Sequence, residues 1–250
     1  MRFQIALLCI LSMTACAPQK DSISLTAAPG QQAIIRDGVP ALVSSKKNIV
    51  FLRPLDARQE SGGRPKFVVA MYNRGNAPAT FRMSDLRVEM LQPRHASIKV
   101  YTHAELADEV ETERNTRLFL AALSGAAGAV SAASAGTTYT SGSYGYSTPY
   151  GTGSGFYTGS SYNPGLAQAA INANNDRTLN TMASIESSAQ NALTTLRATI
   201  LKDHTLMPNE WHGGVIVLDP PEMSKEGAQY QISLWLDGEE HVFTVSQRSS

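Results

Sequence analysis

The amino-acid sequence predicts an α+β fold, in which an antiparallel, immunoglobulin-like β-sandwich carries a long inserted α-helical hairpin. Short segments of alternating apolar and polar residues, separated by turn residues, occupy residues 31–101 and 204–247. The residues between these two regions follow a helical period instead. We therefore expect the first part of the sandwich at 31–101, its last strands at 204–247, and the insertion between them.

The N-terminus has the charged, apolar and small-residue order of a secretory signal. Arg2 precedes an apolar stretch at residues 3–13, which is too short to cross a bilayer as a helix. The four residues at positions 13–16, MTAC, resemble the lipobox of bacterial lipoproteins. This resemblance implies a lipoprotein signal peptide at residues 1–15 and acylation of Cys16 after cleavage. The alternative is an ordinary secreted protein in which Cys16 lies near the cleavage site by coincidence.

The residue after this cysteine bears on which membrane holds the anchor. An aspartate there would resemble the inner-membrane retention signal of Gram-negative bacteria, whereas this chain has Ala17. The resemblance therefore implies an outer-membrane anchor, with the chain facing the periplasm or exposed at the cell surface. Residues 16–30 are small and polar, as expected of a lipidated tether that holds a domain off the membrane.

Cysteine content and charge limit the possible partners and the sources of stability. Cys9 belongs to the signal peptide and Cys16 is used by lipidation, so we expect no disulfide and a fold that depends on its hydrophobic core. The 21 basic and 21 acidic residues balance. This balance argues against a nucleic-acid partner, because nucleic-acid-binding proteins carry clustered positive charge. The predicted partners are the membrane, through acylated Cys16, and a protein or a second copy of the chain.

Segments with a period of two and turn residues between them predict about eight short strands. Asp237-Gly238 predicts a tight hairpin turn near the C-terminus. The strand candidates are residues 32–36, 48–52, 66–72, 79–83, 85–90, 98–101, 214–218, 230–236 and 241–245.

Two stretches of the predicted sandwich resemble a known group of proteins. FVVAMYNRGNAPATF at residues 67–81 resembles the strand, Asn-x-Gly turn and strand of uncharacterised bacterial lipoproteins with immunoglobulin-like domains. LMPNEWHGGVIV at residues 206–217 resembles the entry to a late strand in the same proteins. The resemblance implies a fold and no activity, because one fold supports many functions.

The insertion is predicted to contain two helices and a tip loop. Thr102 and Glu105 form a capping box that starts the first helix, at 102–136. The second helix is expected at 166–203, and residues 137–165, rich in Gly, Ser, Thr and Tyr, form the tip loop. One apolar stripe with nearly the coiled-coil period runs along the second helix. It consists of Leu179, Met182, Ile185, Ala189, Ala192, Leu196 and Ile200.

Charge is excluded from a long part of the insertion. Residues 118–175 contain no Asp, Glu, Lys, Arg or His, although charged residues make up 17% of the chain. One interpretation is an antiparallel helical hairpin, docked on the sandwich, whose first helix packs closely through small residues against the second helix or against another copy. The candidate helix-packing or oligomer contacts are Ala121, Gly125, Gly128, Ala129 and Ala132.

Two further interpretations concern the membrane and the tip. Residues 118–136 would rise about 28 Å as a helix, close to the ~30 Å hydrocarbon core, so a ring of copies could insert this part of the chain. The tip would then place tyrosines at the membrane interface. Alternatively, the tip is a disordered loop whose tyrosines contact a partner, which is compatible with either helical arrangement. The candidate membrane or partner contacts are Tyr139, Tyr144, Tyr146, Tyr150, Tyr157 and Tyr162.

The sequence predicts no catalytic residues, metal ligands or cofactor site. The five histidines lack the spacing of a metal site such as H-E-x-x-H. The run His212-Gly213-Gly214 resembles the oxyanion-hole loop of some esterases, but no G-x-S-x-G motif accompanies it. A tight turn before a strand explains these glycines more simply.

These observations predict a membrane-anchored, non-enzymatic binding or assembly module of the bacterial cell envelope. One alternative is a subunit of an oligomeric outer-membrane pore or secretion-type assembly that uses residues 118–175. A more remote alternative is a hydrolase whose activity would depend on His212.

Overall fold

The computed structural model describes residues 19–36, 38–148 and 151–249, which form two compact units. Unit 1 consists of the described residues up to Thr102 and from Thr199 onwards, and unit 2 is His103–Ala198. The chain is α+β, with mostly antiparallel sheets and one long helical hairpin, and this part of the prediction is confirmed. The lipobox with Cys16 and the predicted contact Tyr150 lie outside the described residues.

The described residues contain sixteen strands and two α-helices. In chain order they are β1 (Lys20–Thr26), β2 (Gln31–Arg36), β3 (Val39–Ser45), β4 (Ile49–Pro54), β5 (Arg58–Glu60), β6 (Lys66–Tyr72), β7 (Ala79–Phe81), β8 (Leu86–Gln92), β9 (Ala96–Ile98), β10 (Val100–Tyr101), α1 (His103–Ser134), β11 (Thr137–Thr148), β12 (Gly151–Tyr162), α2 (Pro164–Thr199), β13 (His204–Leu206), β14 (Trp211–Leu218), β15 (Ala228–Leu236) and β16 (Glu239–Ser249).

Unit 1 contains two six-stranded antiparallel sheets. The first has the strand order β5-β1-β16-β15-β8-β9, and the second has the order β10-β14-β6-β4-β3-β2. A small separate sheet pairs β7 with β13. Strands that follow the insertion lie beside strands that precede it, since β16 pairs with β1, β15 with β8 and β14 with β6. The insertion therefore interrupts unit 1 in sequence, while chain segments from both sides build the same sheets.

The two six-stranded sheets share one hydrophobic core. Along β6, residues alternate between buried and half-buried, and Phe67 and Met71 point into this core. Tyr230 of β15 meets Phe67 edge to face, with ring centroids 6.3 Å apart. This contact joins the two sheets through side chains that are both fully buried.

The predicted tether at residues 16–30 is wrong for Lys20–Thr26, which forms β1. Ile23 alternates with serines and is buried in the core, so this short stretch has the pattern of a half-buried strand. The buried carboxylate of Asp21 accepts hydrogen bonds from Ser61, Gln247 and Ser249. Burial alone raises the pKa of this carboxyl, but the hydrogen bonds outweigh burial and hold the pKa below its usual range.

A capping residue precedes each of the two helices of the insertion. α1 begins at His103, directly after Thr102 of the predicted capping box. α2 begins at Pro164, two residues before the predicted start, because the side chain of Asn163 accepts hydrogen bonds from the backbone N–H groups of Gly165 and Leu166. Proline fits the first helical position, where its missing N–H has no helical acceptor.

The predicted tip loop at residues 137–165 is also corrected, because most of it forms an antiparallel β-hairpin. β11 and β12 pair continuously from Thr137↔Tyr162 to Thr148↔Gly151. The ring of Tyr144 lies across Gly155, where a Cβ atom would come within 2.6 Å of it. Such a tyrosine covers a glycine on the facing strand, an arrangement that stabilises glycine-containing strand pairs. The glycines of this segment, which suggested a loop, therefore lie in paired β-strands.

Candidate contact surface on the inserted hairpin

Small residues bring α1 and α2 into close contact along the charge-free part of unit 2. Ala121 of α1 is buried. A Cβ atom added at Gly125 would lie 2.6 Å from Oγ1 of Thr178 on α2, and one added at Gly128 would lie 2.2 Å from Oδ1 of Asn174. Real Cβ atoms do not approach other atoms so closely, so these two glycines permit the observed distance between the helices.

The remaining small residues predicted as contacts, Ala129 and Ala132, are half-buried. The side-chain amide of Asn174 donates a hydrogen bond of 2.9 Å to the backbone carbonyl of Gly125. Of the two partners left open by the sequence, the second helix of the same chain therefore occupies this stripe.

Large apolar side chains of α1 point away from α2. Phe119, Leu123 and Val130 are 67%, 58% and 73% exposed. With about 100° of rotation per residue, they lie on the side of the helix opposite to Ala121. In the charge-free part of α1, small residues therefore face α2, while Phe119, Leu123 and Val130 face outwards.

This arrangement is the reverse of the usual one in water. A helix at the surface of a soluble domain normally turns its large apolar residues towards its neighbour and its polar residues towards solvent. Helices in membranes instead contact each other through small residues and present large apolar residues to their surroundings. The charge-free part of α1 has the second of these two arrangements.

The prediction of one continuous apolar stripe on α2 is only partly right. Met182 and Ile185 are half-buried and Ala189 is buried, as expected for residues that face α1. Leu179, however, is exposed, because Thr178 takes its place against Gly125. Ala192 and Leu196 are half-buried, whereas Ile200 lies beyond the end of α2 and forms a bridge to Val215 in unit 1.

Charged residues of unit 2 lie outside the charge-free region. Arg114 of α1 forms an ion pair of 3.4 Å with Glu186 of α2, which joins the two helices before residue 118. Arg117 pairs with Glu113 one turn earlier on α1. Unit 2 therefore has one part with interhelical charges and one long part without any.

The β-hairpin continues the uncharged apolar surface. Tyr139, Tyr144, Tyr157 and Tyr162 are all exposed, and Tyr146 belongs to β11. The strand register places Tyr139 and Tyr162 on one face of the hairpin and Tyr144 and Tyr157 on the other. Phe156, which sequence analysis did not single out, is 70% exposed on the face of Tyr139. The sequence signal that could have identified Phe156 is its position next to Tyr157, in a segment with a period of two.

One helix among the described residues has the length and composition of a membrane span. This helix is α1, His103–Ser134, and only 6% of its most apolar 18 residues are buried. Burial within the part of the chain that the structure describes therefore does not explain the apolar character of α1.

The histidines considered for catalysis occupy a different part of the molecule. His212 lies inside β14, and its ring stacks on that of His204 with centroids 3.8 Å apart. His204 in turn lies 3.4 Å from a carboxylate oxygen of Glu210. Among the residues described, no group of three or more His, Cys, Asp or Glu side chains is placed to bind a metal ion.

The two glycines after His212 have a packing role rather than the predicted turn role. Both lie within β14. A Cβ atom at Gly213 would meet the carbonyl oxygen of Val69 at 2.5 Å, and one at Gly214 would meet the backbone of Leu201 at 2.7 Å. The glycines thus allow neighbouring backbone to approach β14 closely from two directions.

Comparison with protein-family models, curated proteins and solved structures finds no match to this chain. The assignment of a function to the contact surface therefore depends on its residues and their geometry.

We predict that Gly125→Leu separates α1 from α2 and lowers the melting temperature of unit 2. Thr178 is short and β-branched, so it cannot move aside, and overpacking of this kind costs about 1–3 kcal/mol. The measurement is thermal unfolding followed by helical circular dichroism. Ala126→Leu, on the exposed side of the same helix, is the matched control. Equal melting temperatures for both variants and the unchanged protein would contradict close packing at Gly125.

We also predict that unit 1 becomes less stable as the pH falls from about 7 towards about 5, because two half-buried or buried histidines resist protonation. Burial lowers the pKa of His212, with a further contribution from the stacked His204. Burial likewise lowers the pKa of His241, which pairs with Ser44. An unfolded histidine binds its proton near pH 6.5, so below that pH the unfolded chain binds more protons than the folded one.

The measurement of this pH effect is the urea midpoint of unfolding at several pH values in that interval. His212→Gln should weaken the dependence, whereas His95→Gln, at an exposed position, should leave it unchanged. A midpoint that stays constant or rises as the pH falls would show that these histidines are protonated in the folded state.

Proposed function

We propose that this chain is a lipid-anchored, non-enzymatic assembly protein of a bacterial cell envelope. Its contact surface is the charge-free part of unit 2, and unit 1 is the folded domain into which unit 2 is inserted. The observation that supports this proposal most is the arrangement of α1, with Gly125 and Gly128 against α2 and Phe119, Leu123 and Val130 turned outwards. Large exposed apolar patches on proteins mark contacts with other proteins or with membranes.

The lipid anchor is supported by the resemblance of residues 13–16 to a lipobox. Acylation of Cys16 would hold the chain at a membrane, and Ala17 favours the outer membrane with the chain facing the periplasm. An anchor raises the local concentration of the chain in two dimensions, so weak contacts between unit 2 and its partner become effective. Anchor and contact surface therefore support the same function.

For unit 1 we propose an immunoglobulin-like sandwich. Two antiparallel six-stranded sheets that share one hydrophobic core support this architecture. The strand count of each sheet exceeds that of a basic immunoglobulin domain. Such a sandwich would be a stable folded domain from which the insertion departs and to which the chain returns.

A second candidate function is a subunit of an oligomeric outer-membrane pore or secretion-type assembly. The length and apolar composition of α1 favour it. Residues 118–134 rise about 26 Å as a helix, close to the ~30 Å hydrocarbon thickness. Several copies side by side would bury the polar Ser and Thr side chains of unit 2 between neighbouring copies. The large apolar residues would then contact lipid.

The test is the mass of the gently solubilised, lipidated protein, measured by native mass spectrometry or light scattering. We expect a defined multi-copy species that is weakened in Cys16→Ser and lost when Phe119, Leu123 and Val130 are all replaced by Ser. The matched control replaces Ala122, Ala126 and Ala133 by Ser, at exposed positions of the same helix.

A ring-sized species would favour the pore, and a smaller defined assembly would favour the assembly module. Identical monomeric masses for the lipidated protein and all variants would contradict self-assembly through α1.

A further inference from the structure

The β-hairpin of unit 2 has two open strand edges. β11 and β12 form a two-stranded sheet of their own, with twelve residues in each strand, and no other strand among the described residues pairs with either. Along each outer edge, about half of the backbone N–H and C=O groups point away from the partner strand. An isolated two-stranded sheet is also marginally stable in water, and a third strand would stabilise it.

Most edge strands of the two large sheets are short or carry charged residues. The edge strands β5 and β9 of the first large sheet have three residues each, and β5 carries Arg58 and Glu60. In the second large sheet, the edge strand β10 has two residues and β2 carries Arg36. Short strands and charges of this kind prevent pairing with another chain. β11 and β12 are long and contain neither charge nor proline.

We propose that hairpins of neighbouring copies join edge to edge, with β12 of one copy beside β11 of the next. An open strand edge is complementary to another strand edge, and each copy supplies one edge of each kind with the same length. Because neither strand carries charge, no repulsion opposes contact between identical chains. This inference rests on the proposed lipid-anchored assembly and names its partner, a second copy.

The proposed anchor fixes the direction of pairing. Copies held in one membrane through the same residue share one orientation and are related by rotation about the membrane normal. Under that rotation, β12 of one copy and β11 of its neighbour run antiparallel, as β11 and β12 do within a hairpin. A head-to-tail contact of this kind closes into a ring, in which no edge remains open.

The register identifies serines suited to a cross-linking test, since residues opposite each other point to the same face. Ser143 pairs with Phe156, Ser154 with Gly145 and Ser160 with Tyr139. Ser141, Ser143 and Ser147 of β11 therefore share one face with Ser154 and Ser160 of β12. Cys9 leaves with the signal peptide and Cys16 is acylated, so a cysteine introduced at one of these positions is the only free thiol of the lipidated chain.

The experiment co-expresses two differently tagged lipidated chains and oxidises membranes that contain both. One chain carries Ser141→Cys, Ser143→Cys or Ser147→Cys, and the other carries Ser154→Cys or Ser160→Cys. We expect at least one of these combinations to form a disulfide-linked pair of unlike chains, with a marked increase over Ser187→Cys, an exposed position on α2. Chains with a β11 cysteine alone should not form like pairs.

Three results would overturn the proposal, and they are distinguishable. Like pairs of β11 cysteines would show two-fold pairing instead of head-to-tail pairing. No cross-link above the Ser187→Cys level, in a protein that still has a multi-copy mass, would reject edge pairing and leave the proposed assembly intact. A monomeric mass for the lipidated protein would reject both.

Discussion

The close approach of α1 and α2 at Gly125 and Gly128 is the constraint on which the arrangement of unit 2 depends. Two helices that contact each other through glycine and alanine bury little side-chain volume between them. The larger apolar residues of α1, such as Phe119 and Val130, then face outwards and are mostly exposed. In water this exposure is unfavourable by about 25 cal/mol per Å² of apolar surface.

The absence of charged residues from 118–175 is expected if lipid or a partner covers this region in the functional protein. A charged group placed there would lose its hydration on contact with lipid or with a partner, at considerable cost. The same reasoning extends to the β-hairpin, whose strands carry tyrosine, serine and threonine but no protective lysine. In unit 1, by contrast, most large apolar side chains lie in one core, and most edge strands of the two large sheets are short. The two units therefore differ in where their large apolar residues and their charged residues lie.

The parts of this fold that local sequence determines could be predicted from it. The capping residues place the start of α1, the alternating pattern identifies β6, β8, β15 and β16, and small residues at helical spacing identify the side of α1 that meets α2. The β-hairpin could not be recognised, because Tyr144 covers Gly155 and Tyr157 covers Gly142 on the facing strand, and this pairing is not visible along the chain. β1 was missed since its burial depends on β16, more than two hundred residues away. The outward position of Phe119 and Leu123 became evident only from the contact of α1 with α2.

The most direct test of this account measures whether the outer side of α1 is covered in native membranes. A single cysteine is introduced at Leu123, and its reaction rate with a water-soluble maleimide is compared with those of Ala121→Cys, buried against α2, and Ser187→Cys, exposed on α2. We expect Leu123→Cys to be protected in membranes to a degree close to Ala121→Cys, and to react as fast as Ser187→Cys once the protein is a detergent-separated monomer. Equal reactivity of Leu123→Cys and Ser187→Cys in native membranes would show that this surface is open to water and would contradict the account.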